Sequence, residues 1–143
     1  MISETPQDWS LHPQLAGDSV AVGDLALSRL LLMNDANYPW LILVPRRPGL
    51  TEIIDLGPEE TQLMTEISLV ARALKAVTAC DKLNIAALGN MVPQLHVHVI
   101  ARRKGDAAWP KPVWGAAAPR AYQAADRQRL ITALRQLLSL STS

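Results

Sequence analysis

The chain has 143 residues and a formal net charge of +1, and hydrophobic residues make up 49% of it. This length suits one domain with a sizeable core, so residues 1–143 are interpreted as a single domain. The near-neutral charge excludes the strong electrostatic attraction of nucleic-acid-binding domains, and no nucleic-acid partner is expected. No run of 18 apolar residues exists, so no membrane partner is expected. The single cysteine, Cys80, favours a reducing compartment, and we expect a cytoplasmic protein.

The first half of the chain predicts a pair of strands followed by a helix. Residues 24–33 and 40–44 are both apolar, and the segment between them is rich in Asn, Asp and Pro, which are turn formers. These two strands are expected to form a hairpin. A helix is predicted from residue 57 to about 79, because proline and two acids open it and apolar residues then recur every three or four positions.

The second half predicts two more strands and a second helix. The strands are expected at residues 83–88 and 94–102, and a Pro- and Trp-containing loop is expected at 105–119. Residues 121–140 carry leucine and isoleucine at helical spacing and predict an amphipathic C-terminal helix. Closely spaced strand pairs favour antiparallel pairing, so the predicted fold class is α+β.

The strand at 94–102 carries the most informative pattern in the sequence. Gln94, His96 and His98 alternate with Leu95, Val97 and Val99. On a β-strand, alternate residues point to the same face, so the polar three are expected on one side and the apolar three in the core. Two of the three histidines of the chain are here, which predicts a chemical role near neutral pH.

Three interpretations of His96 and His98 are open at this point. Two histidines on a strand can hold zinc or iron, but such a site usually needs a third ligand, often a carboxylate. No Glu follows His98, and nothing in the spacing of His12 or Asp35 recommends either as that ligand. A neutral imidazole can instead attack phosphorus while the second donates to the leaving oxygen. The third interpretation is a pair of solvated surface side chains.

Nearby residues fit the phosphorus chemistry. Gly89 lets the backbone approach a ligand closely, and the Asn90 amide can donate to an anionic oxygen. The Gln94 amide could orient the site or bind a phosphate oxygen. The remaining histidine, His12, lies in a polar N-terminal stretch and is interpreted as structural or solvated.

The segment from Gly89 to Ile100 resembles the signature of the histidine-triad (HIT) superfamily of nucleotidyl hydrolases and transferases. The family pattern is three histidines separated by single apolar residues. Trp109-Pro110 is similar to a Trp-Pro found after that strand in many members, and Val44-Pro45-Arg46 resembles the hairpin on the ribose side. The resemblance runs from about Gly23 to Trp114. It implies an antiparallel sheet of about five strands, a long helix after the first hairpin and a C-terminal helix.

The resemblance also implies roles for individual residues. The middle histidine of the triad corresponds to His96, the nucleophile that takes the nucleoside 5′-phosphoryl group, and the third corresponds to His98, which contacts the phosphate and the leaving oxygen. The first corresponds to Gln94, a departure at a position that is largely supporting. Asn90 corresponds to a phosphate contact, and Asp35 or Asn34 falls near the residue that binds the ribose hydroxyls.

Two further departures concern Met91, where many members have Ser or Thr, and Trp40-Leu41, where many have a histidine.

The implied activity is cleavage of a nucleoside 5′-phosphoanhydride or phosphoramidate, such as a diadenosine polyphosphate, through a nucleotidyl-histidine. The alternative is a nucleotide-binding or interaction protein with little turnover. No cofactor is required, although Mg²⁺ can accompany a polyphosphate substrate. The small-molecule partner is a nucleotide, and a homodimer is expected from the resemblance.

Overall fold

The computed structural model describes residues 5–141, so residues 1–4 and 142–143 of the predicted domain lie outside the described part. The fold is α+β, as predicted, with one five-stranded antiparallel sheet in the order β1-β2-β3-β5-β4. The elements are, in chain order, α1 (Pro13–Asp18), β1 (Ser19–Asp24), β2 (Ser28–Met33), β3 (Trp40–Pro45), a 3-10 helix (Ile53–Glu59), α2 (Glu60–Thr78), β4 (Lys82–Ala86), β5 (Val97–Arg102) and α3 (Ala124–Leu138).

The strand predicted at 24–33 is the shorter strand β2 in the structure, and strand β1, which shares only Asp24 with that range, was not predicted. Asp24 ends β1, and β2 begins at Ser28 after a short turn. The buried carboxylate of Glu66 on α2 fixes this turn, because it accepts hydrogen bonds from the backbone N–H groups of Leu27 (2.7 Å) and Ser28 (2.9 Å). The partner of the turn is therefore far away in sequence. The predicted hairpin between the second and third strands is confirmed by their antiparallel pairing.

The central strand β3 is buried along its whole length because both faces of the sheet are covered. Leu41 and Leu43 contribute to a core beneath α2 and α3, while Trp40, Ile42 and Val44 contribute to a second apolar cluster on the other face. The N-terminal segment and the 105–119 loop contribute Trp9, Ala108 and Val113 to that second cluster. A continuous apolar run is typical of a strand buried on both faces.

The histidine strand is shorter than predicted. It was expected at 94–102, but β5 begins at Val97 and pairs with both β3 and β4. Leu95, Val97 and Val99 lie in the core beneath α2, as the alternation predicts. Gln94 and His96 lie in the segment just before the strand, and the chain bends at Gln94, so Gln94 is not part of the sheet.

The two predicted helices are present with small shifts. A helix was expected from residue 57, but Gly57 has a φ of 56° and separates the first 3-10 turn from α2, which begins at Glu60. The C-terminal helix α3 lies inside the predicted range 121–140. Among residues 5–141, no helix is both long and apolar enough to cross a bilayer.

A buried ion pair organises the loop that follows β5. The guanidinium of Arg102 donates to both carboxylate oxygens of Asp106, at 2.8 and 2.9 Å, and also to Asn84. Asp106 accepts backbone N–H groups from Arg103, Ala108 and Trp109 as well. The hydrogen bond from Arg102 is the main cause that lowers the pKa of Asp106 to about 2. This cluster fixes the first half of the loop onto the sheet.

We expect Arg102→Met to lower the free energy of unfolding by about 3 kcal/mol, because it leaves a buried carboxylate without its cation. Urea unfolding at neutral pH measures the change. The exposed pair Arg129–Asp126 provides a matched control, and Arg129→Met should cost less than about 1 kcal/mol. Equal effects of the two substitutions would contradict the organising role of Arg102.

Candidate active site

His96 and His98 face the same side of the sheet. Their ring centroids are 4.9 Å apart, and the two residues are only 6% and 4% exposed. The period-two geometry of the extended chain explains this arrangement, even though His96 precedes β5 by one residue. Two imidazoles are therefore held together at the margin of the second apolar cluster.

A backbone carbonyl fixes the tautomer of His96. Its Nδ1 lies 2.7 Å from the carbonyl oxygen of Gln94. A carbonyl can only accept, so Nδ1 must carry the proton, and in the neutral ring Nε2 then holds the lone pair. The chain thus leaves Nε2 of His96 available as a base or nucleophile.

His98 has the opposite tautomer. The indole N–H of Trp40 donates to Nδ1 of His98 over 2.9 Å, and an indole nitrogen can only donate. Nδ1 of His98 must therefore hold the lone pair, and Nε2 carries the proton. Burial, and secondly the neighbouring His96, lowers the pKa of His98 to about 4, so its ring is neutral at pH 7. The ring can therefore donate one hydrogen bond through Nε2.

Aromatic rings hold His98 in place. Trp40 and Trp114 lie with their centroids 5.7 and 5.0 Å from that of His98, and the two indoles meet edge to face at 5.7 Å. Trp114 comes from the loop that Arg102 and Asp106 attach to the sheet. The loop predicted at 105–119 therefore supplies one wall of the site.

A cavity of about 580 Å³ opens at the two histidines. This volume is in the usual range of small-molecule sites. Most of its lining is apolar, with polar groups at a few positions. The lining residues are His12, Gln14, Leu15, Asp18, Met33, Trp40, Leu88, Gly89, Asn90, Met91, Val92, His96, His98 and Trp114.

Asn90 and Gln94, both predicted to bind substrate, are placed differently. Asn90 lines the cavity next to Gly89, whose φ of 78° is a conformation that favours glycine. Gln94 does not line this cavity. Its amide oxygen accepts the backbone N–H of His12 (2.8 Å), and its amide nitrogen donates to the carbonyl of Ser10 (2.9 Å). Gln94 therefore holds protein backbone, and a contact of its amide with phosphate stays a prediction.

Asp35 and Asn34, predicted near the ribose, are not among the residues that line the cavity. The buried carboxylate of Asp35 accepts the backbone N–H groups of Asn37 (3.0 Å) and Arg120 (3.2 Å). Asn34 accepts from Arg127 on α3. These contacts attach Asp35 and Asn34 to the C-terminal part of the chain, and a contact of either residue with a ribose stays a prediction.

Two residues of the site were missed from sequence alone. Trp40 was interpreted only as the loss of a family contact, yet its N–H orients His98. His12 was interpreted as structural or solvated, yet this residue lines the same cavity as His96 and His98. One local signal was available for His12, since a residue before Pro13 at a helix start is a capping position.

The metal interpretation needs a third ligand near His96 and His98. Among residues 5–141, no group of three or more His, Cys, Asp or Glu side chains is close enough together to hold a metal ion. His12 and Asp18 share the cavity with the two strand histidines without forming such a group.

Comparisons with known proteins agree with this geometry. The HIT domain matches residues 14–105 of the chain. A solved histidine triad protein from Bradyrhizobium japonicum is 63% identical, with a TM-score of 0.91, over 92% of this chain and 98% of that one. One from Marinobacter aquaeolei is 44% identical, with a TM-score of 0.88, over 93% and 98%. One from Sinorhizobium meliloti is 43% identical, with a TM-score of 0.87, over 90% and 96%. No curated protein matches the chain.

The chain therefore belongs to the HIT domain family, and its fold is the one that these histidine triad proteins share. Proteins with this domain are generally nucleotide-binding hydrolases or transferases.

The buried, neutral His98 predicts a dependence of stability on pH. Its pKa is about 4 in the folded chain and about 6.5 when unfolded, so the unfolded chain binds more protons between these values. Stability should fall as the pH drops through this window. Between pH 7.5 and pH 4, the free energy of unfolding of the wild type should fall by about 3 kcal/mol more than that of His98→Asn. Urea unfolding of both proteins at the two pH values measures this difference. Parallel stability curves for the two proteins would contradict the neutral, buried state of His98.

Proposed function

We propose that this protein is a nucleotide hydrolase or transferase that cleaves a nucleoside 5′-phosphoanhydride or phosphoramidate through a nucleotidyl-histidine intermediate. The observation that carries the proposal is the pair of opposite tautomers, which presents a lone pair on His96 beside an N–H donor on His98. A nucleophile and a hydrogen-bond donor on one cavity wall are what substitution at phosphorus requires. Membership of the HIT domain family supports the same chemistry.

In the first step, Nε2 of His96 attacks the α-phosphorus. A nitrogen–phosphorus bond forms, the bond to the leaving group breaks, and the leaving group departs with the electron pair. The phosphate of an anhydride leaves as its anion, whereas the nitrogen of a phosphoramidate takes a proton from solvent and leaves as the neutral amine. The His96 ring becomes positively charged, and its Nδ1–H bond to the Gln94 carbonyl strengthens as that charge develops. Nε2–H of His98 donates a hydrogen bond to a phosphoryl or leaving oxygen and keeps its proton.

In the second step, water attacks the same phosphorus. Its oxygen bonds to phosphorus, the nitrogen–phosphorus bond breaks, and the electron pair returns to Nε2 of His96. The water proton passes to solvent. If another nucleophile replaces water, the same intermediate yields transfer in place of hydrolysis.

The cavity lining supports a nucleotide as the substrate. Leu15, Met33 and Val92 offer an apolar surface for a base, while Asn90 and the histidines offer donors for phosphate oxygens. We propose that Mg²⁺, where it takes part, arrives on the phosphates of the substrate. No step above passes through it.

We also propose that the protein acts as a homodimer in the cytoplasm. Strand β4 lies at one edge of the sheet, and among the described strands it pairs with β5 alone. Ile85 and Leu88, in and after this strand, are about half exposed, and a partner would cover them. The one cysteine, Cys80, is buried and unpaired, which supports a reducing compartment.

His96→Asn should lower kcat by about 10³-fold or more, because the substitution removes the nucleophile. Product analysis with diadenosine polyphosphates and adenosine 5′-phosphoramidate measures the change. Alkaline quenching after mixing with labelled substrate should trap the labelled intermediate on wild type, since phosphohistidine is labile in acid. Wild-type rates in the variant would refute the mechanism. Nucleotide binding without turnover in wild type would favour the alternative, a binding protein.

Trp40→Phe should lower kcat about fivefold, because it removes one hydrogen bond, worth about 1 kcal/mol, that orients His98. Trp9 provides the matched control, since it is buried in the same apolar cluster but does not line the cavity. Trp9→Phe should leave kcat within about twofold of wild type. If both substitutions reduce kcat alike, the effect comes from packing and the orienting role is refuted.

A further inference from the structure

All three histidines of this chain line one cavity, although only two of them belong to the strand motif. The third, His12, lies in the N-terminal segment, immediately before α1. Its distance from the others in sequence is large, and the fold brings it to the same cavity as the proposed nucleophile. This convergence is the starting point of the inference.

One residue, Gln94, holds both His12 and His96. Its side-chain oxygen accepts the backbone N–H of His12 at 2.8 Å, while its own carbonyl accepts the ring N–H of His96 at 2.7 Å. A second side-chain hydrogen bond, from the Gln94 amide nitrogen to the Ser10 carbonyl, attaches the N-terminal segment beside His96. The position of His12 relative to the nucleophile is therefore set by two hydrogen bonds from one side chain.

The tautomer of His12 is also fixed. Its Nδ1 accepts the backbone N–H of Gln14 over 3.0 Å and thereby caps α1. Since an amide N–H can only donate, Nδ1 holds the lone pair, and the ring proton is on Nε2. His12 thus has the same form as His98, with an Nε2–H group that can donate to a bound molecule.

We propose that His12 is a substrate-binding residue that donates its Nε2–H to a phosphoryl oxygen of the nucleotide, and that Gln94 is the residue that positions it. The inference rests on the proposed function, because it assumes that a nucleotide occupies the cavity. It also gives Gln94 a specific role. The side chain at the position predicted to correspond to the first triad histidine holds the backbone of a histidine from another part of the chain.

His12→Asn separates this role from simple capping of the helix. Asparagine is among the preferred N-cap residues, so its side chain can still accept the Gln14 N–H, while the Nε2–H donor is lost. Calorimetric titration with AMP and with adenosine then compares a ligand that carries the phosphate with one that lacks it. Because AMP binding requires no turnover, the test is independent of whether a nucleotidyl-histidine forms.

We expect His12→Asn to raise the Kd for AMP about tenfold and to leave the Kd for adenosine within about twofold, with an unchanged urea midpoint. Unchanged AMP binding would overturn the proposal and leave His12 as a helix cap only. An equal loss for both ligands would overturn the contact with phosphate. If the wild type binds AMP but does not cleave diadenosine polyphosphates or adenosine 5′-phosphoramidate, the proposed function fails, while the AMP titration still tests the role of His12.

Gln94→Leu tests the positioning role. It should weaken AMP binding about as much as His12→Asn does, and the double variant should be no weaker than Gln94→Leu alone, because both changes remove one interaction. Additive losses would show that Gln94 acts by another route and would overturn that part of the proposal. The adenosine titration serves as the control in each case.

Discussion

The hydrogen bond between Nδ1 of His96 and the carbonyl of Gln94 is the contact on which the site depends. It decides which nitrogen of the ring is free, and so decides whether His96 can act as the nucleophile that we propose. The backbone can supply this acceptor because Gln94 lies before β5, outside the paired part of the strand. A residue within the paired part of the strand would have its carbonyl directed toward a neighbouring strand.

The rest of the fold holds partners around that contact. Strand β3 brings Trp40 beside His98, and their hydrogen bond sets the second imidazole to the tautomer opposite to the first. The Arg102–Asp106 pair fixes the loop that carries Trp114 to the ring of His98. Burial then keeps the pKa of His98 low, so that it stays a neutral donor. Each of these surrounding elements limits the histidines to one arrangement.

Local pattern was sufficient to predict most of the fold. The alternation at residues 94–100 predicted which side chains enter the core, and Leu95, Val97 and Val99 lie there. The helical stripes predicted α2 and α3, since burial of one face dictates their spacing. The break between β1 and β2 could not be found in this way, because the Glu66 carboxylate that fixes it is 38 residues from Ser28.

The site was less predictable for the same physical reason. Trp40 and His98 are 58 residues apart, and His12 and Gln94 are 82 apart, so no local period connects them. Asp35 has the chemistry of a ribose ligand, but tertiary contacts with the backbone of Arg120 use its carboxylate. Residue type predicted what each group could do, whereas only the fold decides which partner it meets.

Nitrogen-15 NMR of the histidine side chains at pH 7 tests most directly whether the two strand histidines hold opposite tautomers. The hydrogen bonds predict a protonated Nδ1 and an unprotonated Nε2 for His96, and the reverse for His98. The same tautomer on both rings, or a bare Nδ1 on His96, would contradict the proposed arrangement of nucleophile and donor.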